Sequence, residues 1–247
     1  MLKFVYLSLI QGLSEFLPIS SSGHLFIFKN IFNFKGDFLA FFAFLHIATL
    51  AVVLVFLHKD IFTAFRNKKI VAYLALTTGI TALLGISIDR YLSSYFTING
   101  FIFFFLFING LILLNGKKLK GKRELTEITI RDAVVLGVLQ GFSFLPGISR
   151  SGITIIGLLA RRFKPKAAFA LSFIMSIFPI AGTFLLKINA LTELKLTPFI
   201  LFLSFLITFI VGFFSLYLVK RTLVAKKFIY FGYYCIIVSI GGFLFIN

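Results

Sequence analysis

The chain has 247 residues and is short of both charge and cysteine. Charged side chains make up 13% of it against 60% hydrophobic ones, and only 8 residues are acidic. So little charge excludes a soluble globular protein, whose surface needs more polar groups. The single cysteine, Cys235, excludes an intrachain disulfide, so it carries no information on redox compartment. Because no charged leader precedes a small-residue cleavage site, we expect no cleaved signal peptide.

The sequence contains long apolar runs, and its mean hydropathy is +1.05. The sequence therefore predicts an all-α, polytopic membrane protein. The net charge of +17 comes from basic residues that flank the apolar runs, so we expect a membrane partner and no nucleic acid. The six predicted transmembrane helices are Phe38–Leu57, Ile70–Ile88, Thr97–Leu114, Ala167–Leu186, Pro198–Val219 and Phe228–Ile246.

A polar, glycine-containing motif occurs twice, about half the chain apart. Residues 11–24 read QGLSEFLPISSSGH and residues 140–154 read QGFSFLPGISRSGIT, and they align if Glu15 is skipped in the first and Gly147 in the second. Such a duplication indicates two related halves. We expect a single membrane domain with a first repeat over 1–116, a basic cytoplasmic linker over 117–132 and a second repeat over 133–247.

Each motif copy lies in an apolar segment that proline, glycine and serine interrupt, namely Leu2–Phe28 and Ala133–Ala160. Irregular backbone at membrane depth is tolerated only beside protein or a water-filled cavity, so each segment is predicted to be a re-entrant helical hairpin. Eighteen basic residues then share one face and six the other, and the positive-inside tendency directs both termini outward. Because three spans separate the hairpins, the two repeats are predicted to have inverted topology.

Few ionisable residues fall inside the predicted membrane-embedded segments. Besides Lys3 at the outer end of the first segment, the charged ones are Glu15 and Arg150, accompanied by His24 and His46. Burying such a charge costs about 2.5–3.5 kcal/mol, so a functional reason is expected. One interpretation is an ion pair between Glu15 and Arg150 that locks the two hairpins together. The other is a phosphate site, whose predicted residues are Gly147, Ser149, Arg150, Ser151 and Thr154.

The first motif copy supplies candidate reactive groups. Ser21 and His24 are close enough in sequence for a hydroxyl nucleophile and an imidazole base. Glu15 and Gln11, one helical turn apart, offer oxygen ligands for a divalent cation, Mg2+ or Ca2+. His46, in the middle of a predicted span, is interpreted as a helix contact.

These interpretations lead to a geometric prediction. We expect Glu15, Ser21, His24 and Arg150 to meet in one polar pocket near the middle of the membrane. The Ser21 hydroxyl and the Arg150 guanidinium should lie within roughly 8 Å, so that one phosphate can contact both.

Both motif copies resemble the signatures of a known family, the undecaprenyl-pyrophosphate phosphatases of the bacitracin-resistance type. The run from Gln11 to His24 is similar to the family's acidic-or-glutamine/glutamate motif. The run from Pro146 to Thr154 is similar to its proline-glycine-x-serine-arginine-serine-x-x-threonine motif. The resemblance implies an undecaprenyl-diphosphate phosphatase that hydrolyses the C55 pyrophosphate to undecaprenyl phosphate and inorganic phosphate. This reaction recycles the lipid carrier for cell-wall synthesis and confers bacitracin resistance.

The resemblance also implies residue roles and a location. The metal positions are Gln11 and Glu15, the candidate nucleophile and base are Ser21 and His24 in either order, and phosphate is bound at Ser149, Arg150, Ser151 and Thr154. A divalent cation, a polyprenyl pyrophosphate substrate and membrane lipids are the implied partners, and a homodimer is one option for the assembly. The implied location is the bacterial cytoplasmic membrane, with the active site opening to the periplasmic face.

Two features of the sequence depart from the family pattern. Gln11 stands where many members carry glutamate, which lowers the negative charge available to a metal. Phe42 and Ala43 stand before His46 where an acidic residue is expected.

Two other classes of protein share parts of this pattern. A transporter or flippase of a lipid phosphate remains the alternative, because broken helices in inverted repeats are typical of secondary carriers. The acid-phosphatase-like lipid phosphatases share a serine-glycine-histidine string and a serine-arginine pair. They also need a histidine several residues after the arginine, and residues 151–166 contain none, so this class is set aside.

Overall fold

A computed structural model describes residues 2–31, 38–118, 121–186 and 196–245. The described residues form α-helices without a β-strand, apart from one isolated bridge between Arg123 and Phe163. The helices are α1 (Leu2–Ser14), α2 (Ser21–Ile31), α3 (Phe38–Phe56), α4 (His58–Arg66), α5 (Lys68–Leu92), α6 (Asn99–Leu114), α7 (Ile130–Phe142), α8 (Arg150–Ala160), α9 (Pro165–Leu186), α10 (Pro198–Val224) and α11 (Ile229–Phe245).

Each of the six predicted spans coincides with a helix, namely α3, α5, α6, α9, α10 and α11. Three helical segments of the described residues are long and apolar enough to cross a membrane: Lys68–Phe96, Pro165–Gly182 and Pro198–Val224. The pair α3 and α4 passes the same test together but is bent by 76°, and α6 and α11 are apolar but shorter. The all-helical prediction is confirmed, and several apolar helices fit a membrane.

The bounds of the predicted spans differ from those of the observed helices by up to five residues. Thr97 lies in a 3-10 turn over Ser93–Thr97, before α6 begins at Asn99. Ile246, the predicted end of the last span, lies outside the described residues.

The distribution of polarity is that of a membrane protein. Large apolar side chains face outward, and Leu83, Phe214 and Leu244 are each about 70% exposed. Polar side chains such as Gln11 and Asn109 are fully buried. Lipid rather than water suits the outer surface, since exposed apolar area of this extent is rare on soluble proteins.

Helices of the N-terminal half pack largely on helices of the C-terminal half. The main contacts join α1 to α10, α5 to α7 and α6 to α11. Small residues allow the backbones to approach closely, because a Cβ on Gly12 would lie 2.9 Å from the Thr208 carbonyl oxygen and one on Gly110 2.9 Å from that of Gly232.

Two hydrogen bonds occupy matching places in these contacts. Thr208 on α10 donates to the Ser8 carbonyl of α1 at 3.1 Å. Thr81 on α5 donates to the Gly137 carbonyl of α7 at 3.2 Å. Both acceptors lie three residues before the glutamine that opens their motif copy. The carbonyl three residues before each motif copy thus accepts a hydrogen bond from a threonine of the opposite half.

A pair of aromatic contacts matches in the same way. The phenylalanine of the first copy, Phe16, lies against Gly212 on α10, and that of the second, Phe144, lies against Gly85 on α5. A Cβ at Gly212 or Gly85 would come within 2.8 or 2.6 Å of the ring. Glycine therefore makes room for the motif on both long helices.

Both motif copies interrupt a helix at the predicted place. The first loop separates α1 from α2, and the second separates α7 from α8. A serine caps the helix that follows each loop, since Gly23 N–H donates to Ser20 Oγ at 3.3 Å and Gly152 N–H to Ser149 Oγ at 3.2 Å. The breaks are confirmed, whereas the return of each hairpin to its starting face stays a prediction.

The segment before α7 is tied to the C-terminal half through Asp132, whose side chain is fully buried. Arg123 Nη2 lies 2.6 Å from Asp132 Oδ2 and Arg161 Nε lies 2.6 Å from Oδ1, while Thr129 Oγ1 donates to Oδ2 at 2.8 Å. Burial raises the pKa of Asp132, but hydrogen bonds from Arg123, Arg161 and Thr129 outweigh it and hold that pKa well below its usual range.

Candidate active site

The Glu15 carboxylate joins the two motif copies. It lies just after α1, is 8% exposed, and each of its oxygens has a partner. Arg150 Nη2, at the start of α8, donates to Oε1 at 2.5 Å. Ser21 Oγ donates to Oε2 at 2.8 Å, Gln11 Nε2 donates to the same oxygen at 3.2 Å, and His46 Nε2 lies 3.7 Å from it. Residues about 130 positions apart in sequence therefore contact the same carboxylate.

This arrangement contains the predicted Glu15–Arg150 ion pair. It also places the Ser21 hydroxyl and the Arg150 guanidinium on the two oxygens of one carboxylate, which satisfies the predicted separation. Arg150 Nη1 is buried and has no hydrogen-bond partner among the described residues. A buried donor of this kind normally has a hydrogen-bond partner, so Nη1 is available to bind an anion.

A cavity of about 160 Å3 lies beside the carboxylate. It is smaller than the roughly 300–1,000 Å3 of most small-molecule sites, so it suits a phosphate group and not a whole lipid. Its polar lining consists of Ser14, Glu15, Ser20, Ser21, Ser22, His46, Thr81, Gln140, Ser143, Ser149 and Arg150. Phe42, Phe144, Ile148, Pro179 and Ile180 complete the wall.

Direct hydrogen bonds hold the two loops against each other. Gly147 N–H donates to Ser20 Oγ at 3.2 Å, and Ser151 Oγ donates to the Phe16 carbonyl at 3.1 Å. Gly147 has a φ of +105°, and a Cβ there would come 2.5 Å from the Ile102 carbonyl oxygen. Only glycine fits both this conformation and this approach to α6.

The predicted phosphate-binding residues occupy different places. Ser149 lines the cavity together with Arg150. The hydroxyls of Ser151 and Thr154 form hydrogen bonds to other protein atoms instead. Thr154 Oγ1 lies 2.7 Å from the Arg150 carbonyl oxygen and 2.6 Å from Ser172 Oγ. Gly147 contributes backbone geometry to the loop. Direct phosphate contacts from all five residues stay predictions.

The prediction that His24 shares the pocket of Ser21 is wrong. His24 lines a separate, mostly apolar cavity beside Leu17 and Tyr230. Its Nδ1 lies 2.9 Å from the Ser20 carbonyl oxygen, which only accepts, so Nδ1 carries the hydrogen of the neutral ring. Nε2 then accepts from the Tyr234 hydroxyl at 2.8 Å, which occupies the lone pair that a base would use.

The lining of the polar cavity also includes residues that the sequence did not assign to the site, among them His46, Gln140 and Thr81. His46, predicted to be a helix contact, faces Glu15, with its Nδ1 2.9 Å from the Phe42 carbonyl oxygen. Gln140 Nε2 donates to Thr81 Oγ1 at 3.2 Å, and Gln140 Oε1 is buried without a partner among the described residues. Its alignment with Gln11 in the motif was the available signal. Thr81 carried none, because it lies on a different helix.

The residues fit a divalent cation in part. Gln11 Oε1 is buried without a hydrogen-bond partner in the described part of the chain, and it belongs to the side chain that contacts Glu15. The described ranges contain no group of three or more His, Cys, Asp or Glu side chains that could hold a metal. One carboxylate and one amide oxygen match the sites in which Mg2+ keeps waters and substrate phosphate as further ligands.

Comparisons with known proteins identify the family of the chain. The family model described as bacitracin resistance protein BacA matches residues 4–241. The chain belongs to this family. A protein named undecaprenyl-diphosphatase from Methanococcus vannielii is 38% identical over 96% of each chain. Proteins of the same name from Thermosipho africanus and Methanococcus maripaludis are 37% and 39% identical over 97% or more of each chain. The matched region contains both loops and all the residues around Glu15.

Proposed function

We propose that the chain hydrolyses the terminal phosphoanhydride bond of undecaprenyl pyrophosphate and releases undecaprenyl phosphate and inorganic phosphate. The observation that carries the proposal is that Ser21 and Arg150 share the Glu15 carboxylate beside a phosphate-sized polar cavity. The names of the related proteins support it over the lipid transporter. Recycling of the lipid carrier, and with it resistance to bacitracin, would follow from this activity.

Ser21 is the proposed nucleophile. Its hydroxyl already donates to Glu15 Oε2, so the carboxylate is positioned to take the proton as Oγ attacks the terminal phosphorus. The new Oγ–P bond replaces the bond to the bridging oxygen, and undecaprenyl phosphate leaves. Water then hydrolyses the phosphoserine, which returns the proton and frees inorganic phosphate.

Arg150 is the proposed phosphate clamp. Guanidinium Nη2 donates to Glu15, whereas Nη1 is buried and has no hydrogen-bond partner within the described ranges. Nη1 can therefore donate to a phosphate oxygen while the carboxylate stays oriented. A fixed positive donor stabilises the charge that develops on the transferring phosphoryl group. His24, bonded to Tyr234, is proposed to hold the start of α2 in place instead of acting as a base.

A divalent cation, Mg2+ or Ca2+, belongs to the proposal. Gln11 and Glu15 are the residues that would hold it, and the support is that the buried Gln11 Oε1 has no hydrogen-bond partner among the residues that the structure describes. When bound, such a cation supplies charge neutralisation for the pyrophosphate oxygens.

The proposed topology is six spans and two re-entrant hairpins in inverted repeats, over 1–116 and 133–247. The matching threonine and glycine contacts on the two halves support it, since related halves that pack on each other repeat their contacts. We place the protein in the bacterial cytoplasmic membrane, with the active site toward the outer face. The homodimer stays a prediction.

Phosphate release by the purified protein in detergent tests the function. The unaltered protein should release one phosphate per undecaprenyl pyrophosphate, and Ser21→Ala should abolish the release. Ser87→Ala is the matched control, because Ser87 is exposed on α5 and its hydroxyl donates, among the described residues, to the Leu83 carbonyl alone. Absence of phosphate release together with lipid movement in vesicles would favour the transporter.

A further inference from the structure

Asn109, in the middle of α6, is a fully buried amide that lies between the two motif loops. Its Nδ2 donates to the Pro18 carbonyl in the first loop at 2.9 Å, with Cys235 Sγ 3.4 Å away. Its Oδ1 accepts the backbone N–H of Ser149 in the second loop at 3.0 Å. One side chain thus binds the backbone of both loops.

The two bonded positions adjoin the reacting groups. Pro18 lies three residues from both Glu15 and Ser21, and Ser149 directly precedes Arg150. An asparagine amide has donors at one end and an acceptor at the other, which this place requires. An apolar residue of similar size would leave the buried Ser149 N–H without a partner, and the Pro18 carbonyl would keep only the weak Cys235 thiol donor at 3.8 Å.

We propose that Asn109 is a positioning residue that sets the distance between the Ser21–Glu15 side and the Arg150 side of the active site. This inference rests on the proposed phosphatase function. Loss of the amide lets the loops separate by a fraction of an ångström while the helices that carry them stay packed. Because the reaction rate depends steeply on the distances between reacting groups, a shift of about 1 Å can lower the rate by about 100-fold.

Asn109→Leu and Asn109→Asp test the proposal. The first removes both hydrogen bonds, and the second, when ionised, keeps the acceptor for Ser149 and loses the donor to Pro18. Asn115→Leu is the matched control, because Asn115 follows the same helix and is exposed, and within the described ranges its side chain donates to the Leu111 carbonyl alone. We expect kcat for undecaprenyl pyrophosphate to fall at least tenfold in both Asn109 variants, with KM changed less than threefold, and neither constant to change in the control.

Hydrogen–deuterium exchange supplies a readout that does not depend on activity. Peptides covering residues 143–152 should exchange faster in Asn109→Leu, while those of α5 and α10 keep their rates. If exchange rises throughout the protein and the thermal midpoint falls together with kcat, Asn109 acts through stability and the positioning role is wrong. Unchanged kcat with unchanged loop exchange also overturns it.

The two proposals fail in distinguishable ways. If the unaltered protein and the Asn115→Leu control release no phosphate, the proposed function fails, while faster loop exchange in Asn109→Leu still supports the link between the loops. If both release phosphate and Asn109→Leu matches them, the function stands and the inference about Asn109 fails.

Discussion

Replacement of Arg150 by lysine tests the clamp most directly. Arg150→Lys keeps the positive charge, and a lysine ammonium can still pair with Glu15. It cannot hold Glu15 and a phosphate oxygen with two nitrogens of one rigid plane. The fold should therefore survive, and the defect should appear in the reaction.

The size of the effect follows from the two guanidinium nitrogens. Nη2 donates to Glu15 at 2.5 Å, and Nη1 is buried without a partner in the described part of the chain, so lysine loses one charge-assisted hydrogen bond to the phosphate. Such a bond contributes about 1.5–3 kcal/mol. At about 1.4 kcal/mol per factor of ten, kcat/KM should fall by about 10- to 150-fold.

The assay is phosphate release from undecaprenyl pyrophosphate in detergent, with the thermal midpoint measured on the same samples. Arg90→Lys is the control, because Arg90 is exposed near the end of α5 and contacts the Tyr91 ring, which a lysine can also do. Near-normal kcat/KM in Arg150→Lys would refute the two-pronged clamp. A large fall in the thermal midpoint would show that the ion pair mainly stabilises the fold.

Three further predictions concern the metal, the topology and the linker. Chelation should abolish phosphate release, and Glu15→Gln should stay inactive at any ordinary Mg2+ or Ca2+ concentration, because the carboxylate at the centre of the site is gone. Single cysteines introduced at the exposed positions Lys166 and Arg90 should react with an impermeant reagent from opposite faces, Lys166 from the cytoplasm. Asp132→Asn should destabilise the protein by about 1.5–3 kcal/mol in denaturant unfolding at neutral pH, since it weakens the charge-assisted hydrogen bonds to Arg123 and Arg161, which solvent partly reaches.

The Asp132 prediction has a definite sign with pH. Its folded-state pKa is depressed, so its stabilisation is complete above the unfolded value of about 3.9 and is lost as the pH falls below it. The thermal midpoint of the unaltered protein should therefore drop between pH 5 and pH 3 by more than that of Asp132→Asn. An equal fall in the thermal midpoint of both proteins would show that Asp132 does not cause the loss of stability at low pH.

The other two predictions have equally clear contrary outcomes. Full activity in excess chelator would remove the cation from the mechanism. Labelling of both cysteines from one side would contradict the inverted repeats while leaving the helix assignment intact.

Local features of the sequence determined the helices and their breaks. Apolar runs of near-membrane length form α3, α5, α9 and α10, because burial of apolar side chains and internal backbone hydrogen bonding favour helix wherever the run is long. The proline, glycine and serine clusters end helices locally, so both loops were predictable. The cost of a charge at depth singled out Glu15 and Arg150.

Only the tertiary structure decided which side chains share the cavity. Ser21 and His24 are three residues apart on α2, yet one contacts Glu15 and the other Tyr234. Spacing along a helix sets the angle between two side chains, while the packing of neighbouring helices decides what each one meets. His46 and Asn109 reach the site from α3 and α6, and no local signal records such long-range contacts, because they arise only when the two halves pack together.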